Sequence, residues 1–490
     1  MKAKSLTAPI ILLFSLFFSL AAAPALAADG PHEALHLDGA VLSGWWALPF
    51  IGLLLSIAFV PLFKPHFWEH HFGKVAFLWA ALFLIPCWLT FGYQAAAYAT
   101  AETFLFEYLP FVILLLALFT ISGGIRLAGS LAGTPRINTL ILLIGTILAS
   151  FMGTTGAAML LIRPLLRANA HRRYRVHSVV FFIFLVANIG GSLTPLGDPP
   201  LFLGFLKGVP FFWPTVHLFH KAIFMWVALL FIYHVLDSFL YKKEGRPKFK
   251  GRPEPLRLEG GVNFLLLAGV LGLVLLSGVW KSDIRFNIWA DLDVYLPNLV
   301  RDVCLLGLAG LSIIVTKKEV RAGNGFTWGP IAEVAKLFAG IFITIAPALA
   351  ILRAGTEGAL ARLVALTTDS GGQPVNYLYF WLTGGLSSFL DNAPTYVVFF
   401  NLAAGDAVNQ AAHLVDNLPL TLAAISAGAV FMGACTYIGN APNFMVRSIA
   451  IEGGVKMPSF FGFMAWSAAI LIPLFVLVTF IFFGGFSAGL

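Results

Sequence analysis

The chain has 490 residues, 59% hydrophobic and only 11% charged, with a formal net charge of +8 at neutral pH. A soluble globular domain holds about 45–50% apolar and about 25% charged residues, so a soluble protein is excluded and an all-α polytopic membrane protein is implied. Positive charge in loops is the ordinary mark of membrane orientation and gives no reason to expect nucleic acid; the lack of a GxxxxGK[ST] loop leaves ATP-driven chemistry unsupported.

In chain order, Lys2 and Lys4 precede an apolar stretch from Ile10 to Leu20, and Ala25-Leu26-Ala27 offers a small-residue cleavage site. Residues 1–27 therefore read as a secretory signal peptide, which would leave the mature N-terminus outside the cytoplasm. Residues 28–74 are an N-terminal segment with a first span at 45–63. Further spans are expected at 75–93, 105–125, 177–206, 217–241, 262–280, 299–316, 330–352, 418–451 and 461–483, about ten in all. A Lys-, Arg-, Gly- and Pro-rich linker opens the 242–298 segment, and 484–490 form a tail. Cys87, Cys304 and Cys435 have no metal or redox spacing and read as small core residues.

Two apolar stretches fit badly as single crossings. Residues 137–168 are interrupted at Gly153-Thr-Thr-Gly156, and residues 375–404 at Asp391-Asn-Ala-Pro394. Their arms of about 11–16 residues are too short to cross a core of about 30 Å. Both are read as re-entrant hairpins. The distribution of Lys and Arg agrees with that layout. One side collects Arg163, Arg167, Arg172, Arg173, Arg175 and the basic linker, while the other holds only Lys207, Lys221, Lys281, Arg285, Arg301, Arg353 and Arg362. The same layout makes residues 75–241 and 299–483 two inverted repeats of one series: span, span, hairpin, broken helix, span.

The breaks carry the chemistry. Gly191-Ser-Leu-Thr-Pro-Leu-Gly-Asp-Pro-Pro200 and Gly433-Ala-Cys-Thr-Tyr-Ile-Gly-Asn-Ala-Pro442 share Gly, Thr, Gly and Pro at the same offsets. Such segments cannot continue a helix, and inside a bilayer their freed backbone groups persist only where they line a cavity or bind something. Paired broken helices point to the binding site of a secondary transporter. The hairpin tips add Thr154, Thr155, Asp391 and Asn392, and the breaks add Asn188, Ser192, Thr194, Asp198, Thr436 and Asn440. These are hard oxygen donors suited to a small cation such as sodium. An intramembrane carboxylate is a functional-site hypothesis in itself, and Asp198 and Asp391 are the two expected to hold a transported sodium ion. Desolvation favours the protonated acid and a cation favours the carboxylate, so such a group can exchange one for the other. The competing reading is that each Asp merely caps the half-helix that follows it.

Other polar residues read as structural. Glu333 and Lys336 are spaced to pair on one helix face; Asp237 and the Arg301-Asp302 pair read as interfacial. His66, Glu69, His70 and His71 read as a solvated loop, and His32, His36 and Asp38 carry the same reading. No catalytic residue and no cofactor is expected.

At Asn188–Pro200, Ser387–Pro394 and 433–443 the chain resembles the ion transporter superfamily, which includes NhaD-type sodium/proton antiporters, arsenite carriers and citrate or dicarboxylate carriers. The resemblance implies inverted repeats with two hairpins, an elevator-like motion and, as in many relatives, a homodimer. The cell inner membrane is the expected location. The first tip lacks the acidic residue many relatives carry, and also the Ser-Asn-Thr of the dicarboxylate branch. Sodium/proton antiport is the leading expectation, because the motifs hold two carboxylates and no Arg pair to clamp a carboxylate substrate. Cation-coupled citrate or dicarboxylate transport stays open, since Thr, Asn and helix N-termini can also bind carboxylates. A channel, which would conduct without coupling, is the remaining alternative.

Overall fold

A computed structural model describes residues 37–129, 131–247 and 254–484. The expected signal peptide, His32, His36, Lys248, Lys250, Arg252 and most of the tail lie outside the described residues.

The chain is a bundle of apolar helices. They are α1 Leu48–Phe63, α2 Pro65–Thr103, α3 Leu109–Ser122, α4 Pro135–Met152, α5 Thr154–Ala168, α6 Val176–Leu185, α7 Pro199–Leu206 and α8 Trp213–Lys243. After them come α9 Val262–Val279, α10 Leu296–Val315, α11 Gly329–Arg353, α12 Asn376–Phe389, α13 Asn392–Ala404, α14 Pro419–Met432, α15 Ala441–Glu452 and α16 Phe460–Phe482. By length and composition, 9 helices among the described residues could cross a membrane, or up to 10 if one bent pair is a single span.

The expected loop between the second and third spans is helical instead. Residues Pro65–Ser122 run on for 58 residues, far more than the roughly 20 a bilayer needs. The helix is divided at Gly92, whose φ of 87° and ψ of 166° no helix accommodates. His66, Glu69, His70 and His71 thus lie on the first turns of α2 and not in a loop. Two short ribbons were also not anticipated: β1 Arg126–Ala128 pairs antiparallel with β2 Arg257–Glu259, and β3 Arg285–Trp289 with β4 Leu292–Tyr295. They tie loops at the helix ends and leave the bundle all-α.

The first hairpin closes on itself. Gly153 makes the turn with a φ of 79°, and at its base Asn138 and Asn169 exchange two amide hydrogen bonds of 2.9 Å. The second hairpin turns at Leu390-Asp391, with α12 and α13 packed on each other and α12 running along α14.

Both broken helices are real and nearly superimposable in conformation. After α6, a 3-10 turn Ile189–Leu193 leads to extended Thr194 at φ −139° and ψ 159°, and Asp198 at φ −144° and ψ 142° starts α7. After α14, a 3-10 turn Gly433–Cys435 leads to Thr436 at φ −136° and ψ 170°, and Asn440 at φ −154° and ψ 138° starts α15. Each break is a tight loop in which two glycines meet. A Cβ on Gly197 would strike the Gly191 carbonyl, and one on Gly439 would stand 2.6 Å from the Gly433 carbonyl oxygen. The chain is buried from 177 to 205, except at Pro199, and from 421 to 440, except at Ile438. Large apolar side chains such as Phe77, Leu89, Phe231, Leu265, Ile314 and Phe461 stand exposed on the outer helices, as a lipid-facing surface requires.

Candidate functional site

Asp198 is the hub. It is 1% exposed, and its carboxylate accepts hydrogen bonds from three separate elements. Thr154 Oγ1 at the first hairpin tip donates at 3.2 Å, and Asn440 Nδ2 from the second break at 3.1 Å, both to Oδ1. Asn392 Nδ2 from the second hairpin tip donates to Oδ2 at 2.5 Å. Two hairpin tips and two breaks therefore meet on one carboxylate. Although Asp198 stands at the N-terminus of α7, its side chain makes no capping bond there. The capping reading fails for this residue, because its oxygens are turned to other elements.

Asp391 behaves differently. It is half-buried and accepts from the Ala393 backbone N–H at 3.1 Å, which caps α13. The cap sets the first turn of α13 and thereby places Asn392, which is fully buried. Asn392 Oδ1 has no hydrogen-bond partner among the described atoms. A buried amide oxygen without a partner is unusual and leaves lone pairs free beside Asp198.

The remaining residues form a scaffold in symmetry-equivalent pairs. Thr194 Oγ1 donates to the Ser150 carbonyl of the first hairpin, and Thr436 Oγ1 donates to the Ser388 carbonyl of the second at 2.5 Å. Each hydroxyl also accepts from its own loop, from Leu196 N–H and Ile438 N–H respectively, at 3.2 Å. Counting from these serines, Thr154 and Asn392 occupy the same hairpin position, and so do Gly153 and Asp391. Thr154 N–H donates to the Gly197 carbonyl at 2.9 Å, clamping tip to break. Asn188 accepts from Asn440 at 3.2 Å and donates to Asn443 Oδ1 at 2.7 Å, while Asn443 Nδ2 holds the Gly433 and Thr436 carbonyls at 2.8 Å.

Thr154, Asn392 and Asn440 thus touch Asp198, and Asn188 joins through Asn440. Ser192 is spent on its own 3-10 turn, donating to the Ile189 carbonyl at 2.8 Å. Thr155 lies next to Thr154, half-buried. Ser150, Ser388 and Asn443 were missed by sequence reading. The Ser-Phe that precedes each hairpin turn by the same spacing was the available signal.

Several weaker expectations are corrected. Asp237, near the end of α8, is fully buried rather than facing water. Arg172 Nη1 lies 2.6 Å from its carboxylate and His177 Nε2 2.8 Å, and Asn138 and Tyr233 donate to it as well. Arg172 also pairs with Glu244 at 2.9 Å. This network fastens the base of the first hairpin to α6 and α8. Arg301 is only 3% exposed and bonds Asp302, which is half-buried, at 2.7 Å, near the start of α10. Lys336 sits over the Phe72 ring at 5.4 Å, and Glu333 accepts from Trp68; each is engaged by α2 rather than by the other.

Every hydrogen-bond donor to Asp198 is neutral, and no salt bridge among the described residues involves it. A carboxylate ringed by hydroxyl and amide groups can hold a proton or a hard cation, with Asn392 Oδ1 as a further ligand. At the far end of α7, Lys207 lines a cavity of about 880 Å³ together with Glu102, Glu107, Arg353 and Asp406. The 8 residues of α7 put that cavity about 12 Å from Asp198.

A family model described as putative citrate transport matches residues 39–483. The chain is also similar to an uncharacterized transporter of Mycobacterium bovis and to one of Mycobacterium tuberculosis. Each is 24% identical over 332 residues, covering 66% of this chain and 72% of the relative.

Proposed function

The chain belongs to the putative citrate transport family and is a multi-pass membrane transporter; within that class we propose sodium/proton antiport, with Asp198 as the exchanging group. The observation that carries this reading is the single buried carboxylate held by neutral donors from both hairpins and the opposite break. In the proposed cycle Asp198 carries a proton or a sodium ion, never both. Asn392 Oδ1 and the Thr154 hydroxyl complete the sodium shell, and Asp391 positions Asn392. The hairpins and breaks move as one body in an elevator-like step, and the cavity at the end of α7 is one entrance. A homodimer in the cell inner membrane, with the N-terminus outside, belongs to the same proposal. Because proton and sodium compete for one group, the half-saturating sodium concentration should rise as pH falls.

The family description favours a second reading, cation-coupled citrate uptake. The N-terminus of α15 begins at this cluster and would supply the Ala441 N–H to a carboxylate substrate, whereas α7 opens on Pro199 and Pro200, which have no N–H to give. Proteoliposomes separate the two. A sodium gradient that alkalinises or acidifies the lumen without citrate supports antiport. Labelled citrate accumulation that requires sodium, with no sodium-driven pH change in its absence, overturns it.

A further inference from the structure

We propose that His66, Glu69 and His70, on the exposed first turns of α2, form a surface site for a divalent transition metal such as zinc. The three side chains fall at i, i+3 and i+4, which puts them on one helix face. One ligand atom from each lies within 4.8 Å of the other two, and all three residues are exposed. Zinc bonds to His N and carboxylate O are about 2.0–2.2 Å long, so modest rotation of these side chains suffices to bring the ligands onto one ion, with water in the fourth place.

Two details favour a site over a merely solvated face. His70 Nδ1 lies 2.9 Å from the His66 carbonyl oxygen. A carbonyl can only accept, so Nδ1 carries the hydrogen and Nε2 keeps its lone pair, the arrangement by which protein groups orient metal-binding imidazoles. The turn itself is anchored. Trp68, between the ligands in sequence, is 6% exposed, donates to Glu333 on α11, and lies 6.3 Å from the Phe72 ring. The ligands therefore stand on a fixed helix and not on a fraying end. His71 is a built-in control: it stacks on Phe67 at 4.7 Å with its Nδ1 on the Phe67 carbonyl and lies outside the cluster.

The test is calorimetric titration of the full chain in detergent with zinc chloride, with size-exclusion profiles to confirm folding. The wild type should bind one zinc ion more than the His66→Ala/His70→Ala variant. Glu69→Gln should weaken that ion roughly tenfold or more, and His71→Ala should leave it unchanged. Equal zinc uptake by wild type and the double variant, or an equal loss in His71→Ala, would overturn the site.

Discussion

Asp198 and Asp391 look alike in sequence, each an Asp at the start of a half-helix, and the structure gives them different work. Asp198 makes no cap and serves three side chains, whereas Asp391 caps α13. Asp198→Asn keeps size but removes charge and titration. It should leave folding intact and reduce sodium-dependent proton flux to the level of empty vesicles. Asp391→Asn should lose less, since Asn caps about as well, and Asp391→Ala should cost about 1 kcal/mol through the lost cap. Flux in vesicles holding equal folded protein, read beside thermal melting, ranks the three. Equal loss in Asp198→Asn and Asp391→Asn would make both carboxylates ion ligands. Away from the site, Arg172 and Asp237 are both fully buried as side chains. Removing one charge strands the other, so Arg172→Met should destabilise by about 3–5 kcal/mol, and adding Asp237→Leu should recover part of it. A double variant as unstable as the sum of the two single variants would mean that the pair does not interact.

Among the elements, each broken helix is held by hydrogen bonds within its own loop and by one that its threonine donates to a hairpin. Thr194 and Thr436 each link a break to the hairpin of the same half. Thr194→Val and Thr436→Val nearly conserve volume but leave the Ser150 and Ser388 carbonyls and the Leu196 and Ile438 N–H groups without that partner, so each should cost about 1–3 kcal/mol and slow transport while leaving Asp198 in place. Melting temperatures together with sodium affinity test this: a loss of sodium affinity without loss of stability would place these hydroxyls in the ion shell instead. Gly197 and Gly191 define how tightly the first break can close. With no room for a Cβ, Gly197→Ala should prevent the loop from forming, seen as loss of monodisperse protein after extraction.

For the whole molecule, the re-entrant layout is testable by topology. In a cysteine-free background, Arg136→Cys and Ala170→Cys flank the first hairpin, and Gln373→Cys and Val408→Cys flank the second. All four positions are exposed. Membrane-impermeant maleimide should label the first two from one side and the last two from the other. Labelling of Arg136→Cys and Ala170→Cys from opposite sides would turn 137–168 into a crossing and end the inverted-repeat reading. The reciprocal Asn138–Asn169 amide pair argues for the hairpin, since it brings the two ends of that stretch together.

The amino-acid sequence by itself determined the membrane class, the places where helices break and the identity of the oxygen-bearing residues. Those depend on composition, on glycine and proline backbone limits, and on the cost of polar groups in lipid, all of which are local. Sequence could not rank Asp198 above Asp391, because whether an Asp caps its helix or serves a neighbour depends on which elements pack against it. Nor could it place Asp237 inside, since near a helix end the same residue suits water or a buried partner. Arg172, His177 and Asn138 decide that, and they lie 60 to 99 positions away along the chain. The helical stretch that resumes after Gly92 was hidden for a related reason: a glycine between two apolar runs marks a bend, and only packing fixes whether a loop follows.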